Sequence, residues 1–407
     1  MRTGTRIVVT GAGSVSPFGE GAPALWEGLL GGGSAIGPID RFDTSGLRSH
    51  LAALVARFEP RKVIPPGVLR RLDRTSRLAV PAAAQALEQA GLPSRDRTGV
   101  ILGTNSAGSI PVAEFLSTIA AGGPAAAPPI LFPYTVANAP ASQCALNLGL
   151  KGPNLTIVQK EGSSIGAITT ACRMLRSGAA ESLLAGGADD LSVHIFEAYD
   201  RLGVLSRDLR AVGGGAEGSR PFDAIRNGFV LGEGACFLVL EREDTARTRN
   251  RASLAVIEGT AEGRSPVVPH GLPESPVVLA RVIERAVEAA GIEPGSIHAV
   301  FASADSSRRL DAMEAQALHL AFGGAVPPVC SVRGAIGQSG MAGAASAVAA
   351  CFAIHGGKLP GTAGFETPDP SLGVDVSRSP REIRIERVLV TSFASGGTAM
   401  ALVLAAP

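Results

Sequence analysis

Apolar residues along the chain fall into short runs that alternate with longer stretches at helical spacing, with glycine as the usual divider. Residues 6–10 hold the run Ile7-Val8-Val9 and predict a strand, and Gly11-Ala-Gly13 then reads as a turn. Apolar positions over residues 80–91 repeat at one-turn spacing. They predict an amphipathic helix with Pro81 in its first turn and Gly91 as its cap, followed by a strand over 99–104. Residues 109–133 read as a helix and a Gly/Pro/Ala-rich loop, and 134–149 as a second helix. The run Leu155-Thr-Ile-Val158 is short, apolar and β-branched, which suits a buried strand. Residues 342–354 are apolar and alanine-rich but too few to cross a bilayer, so they read as a core helix.

This pattern repeats within the chain. Gln85-Ala-Leu-Glu-Gln-Ala-Gly-Leu-Pro, running into Gly99-Val-Ile-Leu-Gly-Thr, has a counterpart about 200 residues on in Arg285-Ala-Val-Glu-Ala-Ala-Gly-Ile-Glu-Pro, running into Ala299-Val-Phe-Ala-Ser-Ala. The small-residue segment after Glu161 is echoed by the one after Gln338. Two echoes in the same order predict a duplicated α/β fold.

Composition narrows the function classes. A chain of 407 residues that is 45% hydrophobic can bury a large core, and a net charge of +1 argues against a nucleic-acid binder acting through bulk electrostatics. The five cysteines, Cys144, Cys172, Cys236, Cys330 and Cys351, lack metal spacing and sit in apolar runs, so they read as reduced packing residues. None of the six histidines has the paired spacing of a metal ligand. With no signal peptide or membrane span visible, a cytoplasmic protein is expected. The opening Gly11-Ala-Gly-Ser-Val-Ser16 resembles a dinucleotide fingerprint only weakly, because its third glycine falls on Ser16. Neither a cofactor nor a metal is expected.

The chemistry centres on Gly152-Pro-Asn-Leu-Thr-Ile-Val-Gln-Lys-Glu-Gly-Ser-Ser-Ile-Gly-Ala-Ile-Thr-Thr-Ala-Cys172. A strand, a turn and a small-residue helix would present Glu161 inward at a helix N-terminus, where the dipole favours an anion. Glu161 reads equally as a cap of a buried helix or as a functional group.

These residues resemble the β-ketoacyl-acyl carrier protein synthases (ketosynthases) of the thiolase superfamily. The resemblance runs over nearly the whole chain, through Arg41-Phe-Asp43, Ser219-Arg-Pro-Phe-Asp-Ala-Ile-Arg-Asn-Gly-Phe-Val-Leu-Gly-Glu-Gly-Ala235 and Ser392-Phe-Ala-Ser-Gly-Gly-Thr398. It implies a thiolase-like duplicated fold, layered αβαβα, with similar halves at residues 1–251 and 252–407. It also makes Arg220, Asp223 and Arg226 structural ion-pairing residues around Gly232 and Gly234.

The same resemblance places the family's acyl-accepting cysteine at Glu161 and its two histidines at Ser303 and Gln338. The family's lysine falls on Arg333 and its gating phenylalanine on Ser395. A carboxylate cannot replace a thiolate in thioester exchange, and neither serine nor glutamine titrates as an imidazole does. The implied class is a chain-length factor, the ketosynthase β subunit of a type II polyketide synthase. Such a subunit does not condense, pairs with a catalytic ketosynthase α subunit and works on acyl carrier protein. In that family the segment carrying Ser109, Val112 and Leu116 lines the acyl tunnel. Glu161 and Arg333 are expected to meet, directly or through a water, in a pair that plugs the former active site. Other readings are a malonyl-acyl carrier protein decarboxylase, an acyltransferase using Ser163 or Ser303, and a scaffold with no role in polyketides.

Overall fold

Gly11 and Gly13 lie inside a strand, and the reason is the helix packed on them. A Cβ on Gly11 would come within 2.1 Å of the Ala86 carbonyl oxygen, and one on Gly13 within 2.0 Å of that of Ala82. Only glycine lets the helix backbone approach a strand this closely. The structure, a computed structural model, describes residues 5–407. In it the first strand runs unbroken through Ser16 and turns at Pro17 and Phe18, so no glycine turn is present to cradle a dinucleotide phosphate.

Ten strands form one path. The first half supplies β1 (Ile7–Ser16), β2 (Thr98–Gly103), β3 (Asn154–Ile157), β4 (Ser182–Asp189) and β5 (Gly234–Arg242). The second supplies β6 (Ala255–Arg264), β7 (Ala299–Phe301), β8 (Val329–Cys330), β9 (Arg387–Phe393) and β10 (Thr398–Ala405). Across the sheet the order is β8-β7-β9-β10-β6-β1-β5-β4-β2-β3. Read outward from the β1–β6 junction, each half gives its first, fifth, fourth, second and third strand. In both halves the two inner pairings are antiparallel and the two outer ones parallel. The expected duplication is therefore present in the topology.

The helices used below are α1 (Arg74–Ala90), α2 (Ser109–Gly122), α3 (Ala139–Leu148), α4 (Ser163–Ser177), α5 (Val193–Leu202), α6 (Val277–Ala290), α7 (Arg308–Ala321), α8 (Arg333–Ile336) and α9 (Ala342–Gly356). β1 meets β6 only over Ile7–Val9 and Ala255–Ile257. There the path divides into two leaves, with α4 and α9 packed between them and touching strands of both. Three apolar clusters follow the layers. One surrounds α4 and α9, one lies between α1 and the first leaf, and one lies under α6 and α7 against the second. This is the αβαβα layering expected from the sequence. Small residues are needed on the central helices because each is enclosed on nearly all sides, and Ala344 N donates to Ser164 Oγ at 3.0 Å where the two cross.

Several element boundaries differ from expectation. Helix α1 begins at Arg74, capped by Asp73, whose side chain accepts from Ser76 N, and Pro81 lies in its interior and not in its first turn. The buried stripe extends back through Leu78 and Thr75, and its burial carries the helix past its proline. Helix α3 starts at Ala139, after a 3-10 turn at Phe132–Tyr134. Strand β3 is the last strand at its end of the sheet and is not buried: Leu155 is 41% and Val158 58% exposed, because nothing among the described residues covers that edge.

The repeat extends to the close approach. A Cβ on Gly259 in β6 would meet the Ala286 carbonyl oxygen of α6 at 2.0 Å, the counterpart of Gly11 and Ala86, and both strands shift register beside that glycine. Gly259→Val is expected to destabilise the fold by about 1–3 kcal/mol, as overpacking does. Gly295→Val, where an added Cβ meets nothing within 4 Å, serves as the control. Urea unfolding of the two variants checks this, and equal midpoints would count against it.

Candidate functional site

Glu161 sits in a 3-10 turn, Lys160–Gly162, between β3 and α4, and its carboxyl is turned inward with 7% of the residue exposed. It does not cap α4, whose first turn has no side-chain cap. Its carboxylate accepts instead from Ser395, from the backbone N at 3.2 Å and from Oγ at 3.3 Å. Ser395 belongs to the tight β9–β10 loop, whose Gly396 and Gly397 have φ of 88° and 83°. Ser392 Oγ donates to the Glu161 carbonyl at 3.1 Å and fixes the same loop to the turn. Burial pushes the Glu161 carboxyl above the usual carboxylate range. The charge of Asp305 pushes the same way, against the opposing pull of its own backbone N–H, Lys160 and the Ser395 N–H.

Glu161 and Ser395 line a cavity of about 570 Å³ together with Tyr199, His270, Asp305 and the rim arginines Arg308 and Arg309. The rest of its wall is largely apolar and includes Leu202, Val204, Phe229 and Leu310. No cysteine lines it. All five cysteines are buried, and burial pushes the thiols of Cys172, Cys236 and Cys351 up to about 12. None of them is a thiolate at neutral pH.

Ser303 and Gln338 lie behind the cavity wall. Ser303 is fully buried, where Oγ donates to Glu314 at 3.3 Å and accepts from Phe393 N at 3.1 Å. Gln338 Oε1 accepts from Arg333 Nε at 2.9 Å and from Ser339 N at 3.1 Å, and its Nε2 donates to Asp305 at 3.2 Å. Arg333, at the start of α8, also donates to the Ala302 carbonyl at 2.9 Å. The direct form of the expected Glu161–Arg333 pair is absent. Gln338 and the Ala302 carbonyl hold the guanidinium, Ser395 holds the carboxylate, and no N–O contact within 4.0 Å joins them among the described residues. Ser163, a candidate nucleophile, is fully buried and donates to the carbonyls of Thr104 and Lys160, so it has no access to a substrate.

The four expected tunnel residues separate. Ser395 lines the cavity; Ser109, Val112 and Leu116 do not. They lie on α2, where Leu116 is 58% exposed and Ser109 Oγ contacts Ser192 Oγ at 3.3 Å. The expected ion pairs of the 219–235 segment also differ. Arg220 donates to backbone carbonyls of Ala216 and Gly218, and Asp223 accepts the N–H groups of Ile225, Glu366 and Thr367. Of the three, Arg226 is ion-paired, with Asp369 at 2.7 Å and with Asp311 at 3.8 Å. The ion cluster of that motif is instead Glu233, held by Arg41 and Arg74.

Sequence reasoning missed three contributors to the site. Asp305 lies two residues after Ser303, and an acidic residue in the loop after a strand is a usable signal. His270 and Lys160 come together only in space, with Lys160 Nζ 3.1 Å from His270 Nδ1 and 3.2 Å from Ser395 Oγ. Among the described residues no helix is long and apolar enough to cross a membrane.

Family comparison decides the identity. The β-ketoacyl synthase N-terminal domain matches residues 4–246 and the β-ketoacyl synthase C-terminal domain matches residues 254–366. The chain belongs to the β-ketoacyl synthase family. It is 32% identical to the 3-oxoacyl-[acyl-carrier-protein] synthase 2 of Coxiella burnetii, with 98% of each chain covered. It is 31% identical to the oxytetracycline polyketide putative beta-ketoacyl synthase 1 of Streptomyces rimosus, over 99% of this chain and 97% of that one. The solved structure of the ishigamide ketosynthase/chain length factor matches with a TM-score of 0.91 at 30% identity, covering 99% of both chains. The fold is thus the thiolase-like fold of the β-ketoacyl synthases, and the chain is ketosynthase-like in the manner of type II polyketide synthases.

Proposed function

We propose that this β-ketoacyl synthase homologue is a non-condensing chain-length-factor subunit. In this reading it pairs with a catalytic ketosynthase and helps to shape the tunnel in which a carrier-protein-bound acyl chain grows. The observation that carries the reading is the cavity itself: the group presented to it from the β3–α4 turn is a carboxyl, and no cysteine reaches it. Decarboxylative condensation needs a thiolate to hold the acyl chain and donors that stabilise the enolate. The side chains of Ser303 and Gln338 are committed to the scaffold. The same commitment weighs against the malonyl-acyl carrier protein decarboxylase reading.

The open edge at β3 supports a partner. Beside Leu155 and Val158, the exposed apolar residues Phe132, Val136 and Leu146 belong to the segments that lead into this strand. An unpaired strand edge beside apolar surface is a site for pairing with another chain. In the assembly proposed here this edge meets the ketosynthase, and Ser109, Val112 and Leu116 of α2 form part of the tunnel wall near the partner.

Co-expression with the ketosynthase from the same gene neighbourhood is expected to give a stable 1:1 heterodimer by native mass measurement. Within that complex Val112→Phe is expected to shorten the product without abolishing turnover. Recovery of monomers only, in the presence of that ketosynthase, would refute the pairing, and unchanged products would remove α2 from the tunnel.

A further inference from the structure

Glu161 and Asp305 line one cavity, and the cations around them are turned to other partners. Lys160 Nζ lies on the Pro269 carbonyl, His270 Nδ1 and Ser395 Oγ. Arg333 donates to Gln338 and the Ala302 carbonyl, and its Nη2 has no hydrogen-bond partner among the described residues. Arg308 Nε donates to the Arg226 carbonyl at 2.9 Å, and Arg309 Nη2 to the carbonyls of Leu272 and Pro273, both at 3.2 Å. Among the described residues neither carboxyl has an ion pair within 4.0 Å. Tyr199, the remaining titratable wall residue, accepts a long 3.5 Å contact from Asn105 Nδ2.

Two carboxylates facing one largely apolar cavity oppose each other's ionisation, and burial pushes both upward; Asp311, which accepts from Asp305 N at 3.0 Å, is itself pushed well up by burial and by the Asp305 charge. The contacts of Glu161 and Asp305 decide which of the two holds the proton. Asp305 accepts from Ser307 N at 2.9 Å and from Gln338 Nε2 at 3.2 Å, and the Arg333 charge is felt more strongly at Asp305 than at Glu161. Besides its own N–H, Glu161 accepts from Ser395 alone among the described residues, at 3.2 to 3.4 Å, with no contact as short as that of Ser307 N to Asp305. The anion is better supported at Asp305.

We propose that Glu161 is the neutral member of a carboxyl pair with Asp305, and that its O–H, facing the cavity, donates a hydrogen bond to a keto oxygen of the acyl chain lodged there. A carboxylic acid is a donor where a carboxylate is only an acceptor. In an apolar cavity that donor distinguishes a chain bearing a keto group from a saturated one of the same length, because a site built to hydrogen-bond rejects the analogue lacking the partner. The ligand class is a β-ketoacyl thioester. The inference rests on the tunnel role proposed above, and pairing with a ketosynthase can fail or succeed independently of it.

The test compares binding of the N-acetylcysteamine thioesters of 3-oxooctanoic and octanoic acid to the full chain, by calorimetry across pH. The 3-oxo thioester is expected to bind about fivefold to tenfold more tightly at low pH, the size of one net hydrogen bond, and this preference should vanish as Glu161 ionises. Asp305→Asn removes the like charge, makes Glu161 more acidic and is expected to move that loss to lower pH. Glu161→Gln keeps an N–H donor and is expected to hold the preference at every pH. A carbon-13 titration of the Glu161 carboxyl gives a second readout that needs no ligand. An ordinary carboxylate titration in the wild type, unmoved by Asp305→Asn, would overturn the pairing. Failure of both thioesters to bind, equal binding of the two at all pH values, or a pH dependence retained in Glu161→Gln would overturn the role toward the keto oxygen.

Discussion

Glu233→Ala is expected to destabilise the chain by about 3–5 kcal/mol, the usual consequence of removing one partner from a buried ion cluster. The Glu233 side chain is fully buried. Its carboxylate accepts from Arg41 at 2.6 and 2.8 Å, from Arg74 at 2.5 and 2.9 Å, and from the N–H of Val55 at 2.9 Å. These contacts tie the N-terminal loops to the start of β5 at one point. Both arginines keep part of their side chains in water, at 30% and 25%, so truncating either is expected to cost less than truncating the glutamate they share.

The pH dependence follows from the same contacts. Burial pushes the Glu233 carboxyl up, but hydrogen bonds and charge from Arg41 and Arg74 prevail and hold it at about 2, below the ordinary 4.5. A depressed native value stabilises the fold above the unfolded value, and that stability is lost as pH falls toward the native one. The stability difference between wild type and Glu233→Gln is therefore expected to be full at pH 7, to shrink below about pH 4.5 and to approach its minimum near pH 2. Urea titrations at three pH values measure it, and a difference independent of pH would contradict the assignment.

Glu161→Cys is expected to create a reactive thiol without creating a condensing enzyme. The new side chain would project into a cavity with room for a ligand, so alkylation by iodoacetamide should proceed, fastest at alkaline pH because burial and the Asp305 charge push a thiol there up as they do the Glu161 carboxyl, while the five native cysteines stay inert. Condensation also needs acid–base and oxyanion groups, and each such group typically contributes about 10²–10⁴ in rate. Ser303 and Gln338 supply none while Glu314, Arg333 and Asp305 hold their side chains. Carbon dioxide release from malonyl carrier protein by this variant, alone or in complex, is therefore expected to stay at background. Rates near those of a cysteine-bearing β-ketoacyl synthase would show that the scaffold keeps catalytic groups elsewhere and would undo the non-condensing reading.

Local and repeating features were legible in the sequence because their causes are local. The recurrence of Ala86 and Ala286 in matching helices reflects one packing solution used twice, and it marks the duplication in the sequence itself. The small residues of α4 and α9 announced their burial, since a helix enclosed on all sides has no room for larger ones. The expectation that Glu161 stands where the family has its cysteine rests on the resemblance alone. Strand boundaries were harder: Gly11 and Gly13 look like a turn until α1 is seen pressed on them, and Leu155 looks like core until β3 is seen at an edge.

Partner choice among the charged groups was decided by tertiary structure alone. Glu161 and Arg333 looked like a matched pair of substitutions, yet Arg333 reaches Gln338, five residues along its own chain, while Glu161 reaches Ser395, 234 residues away. Glu233 meets Arg41 and Arg74, and Lys160 meets His270, for the same reason. A charged side chain's partner is set by which loops the two leaves bring to the same end of α4 and α9. That placement depends on strand order and register across the whole sheet, a long-range property that no window of sequence carries.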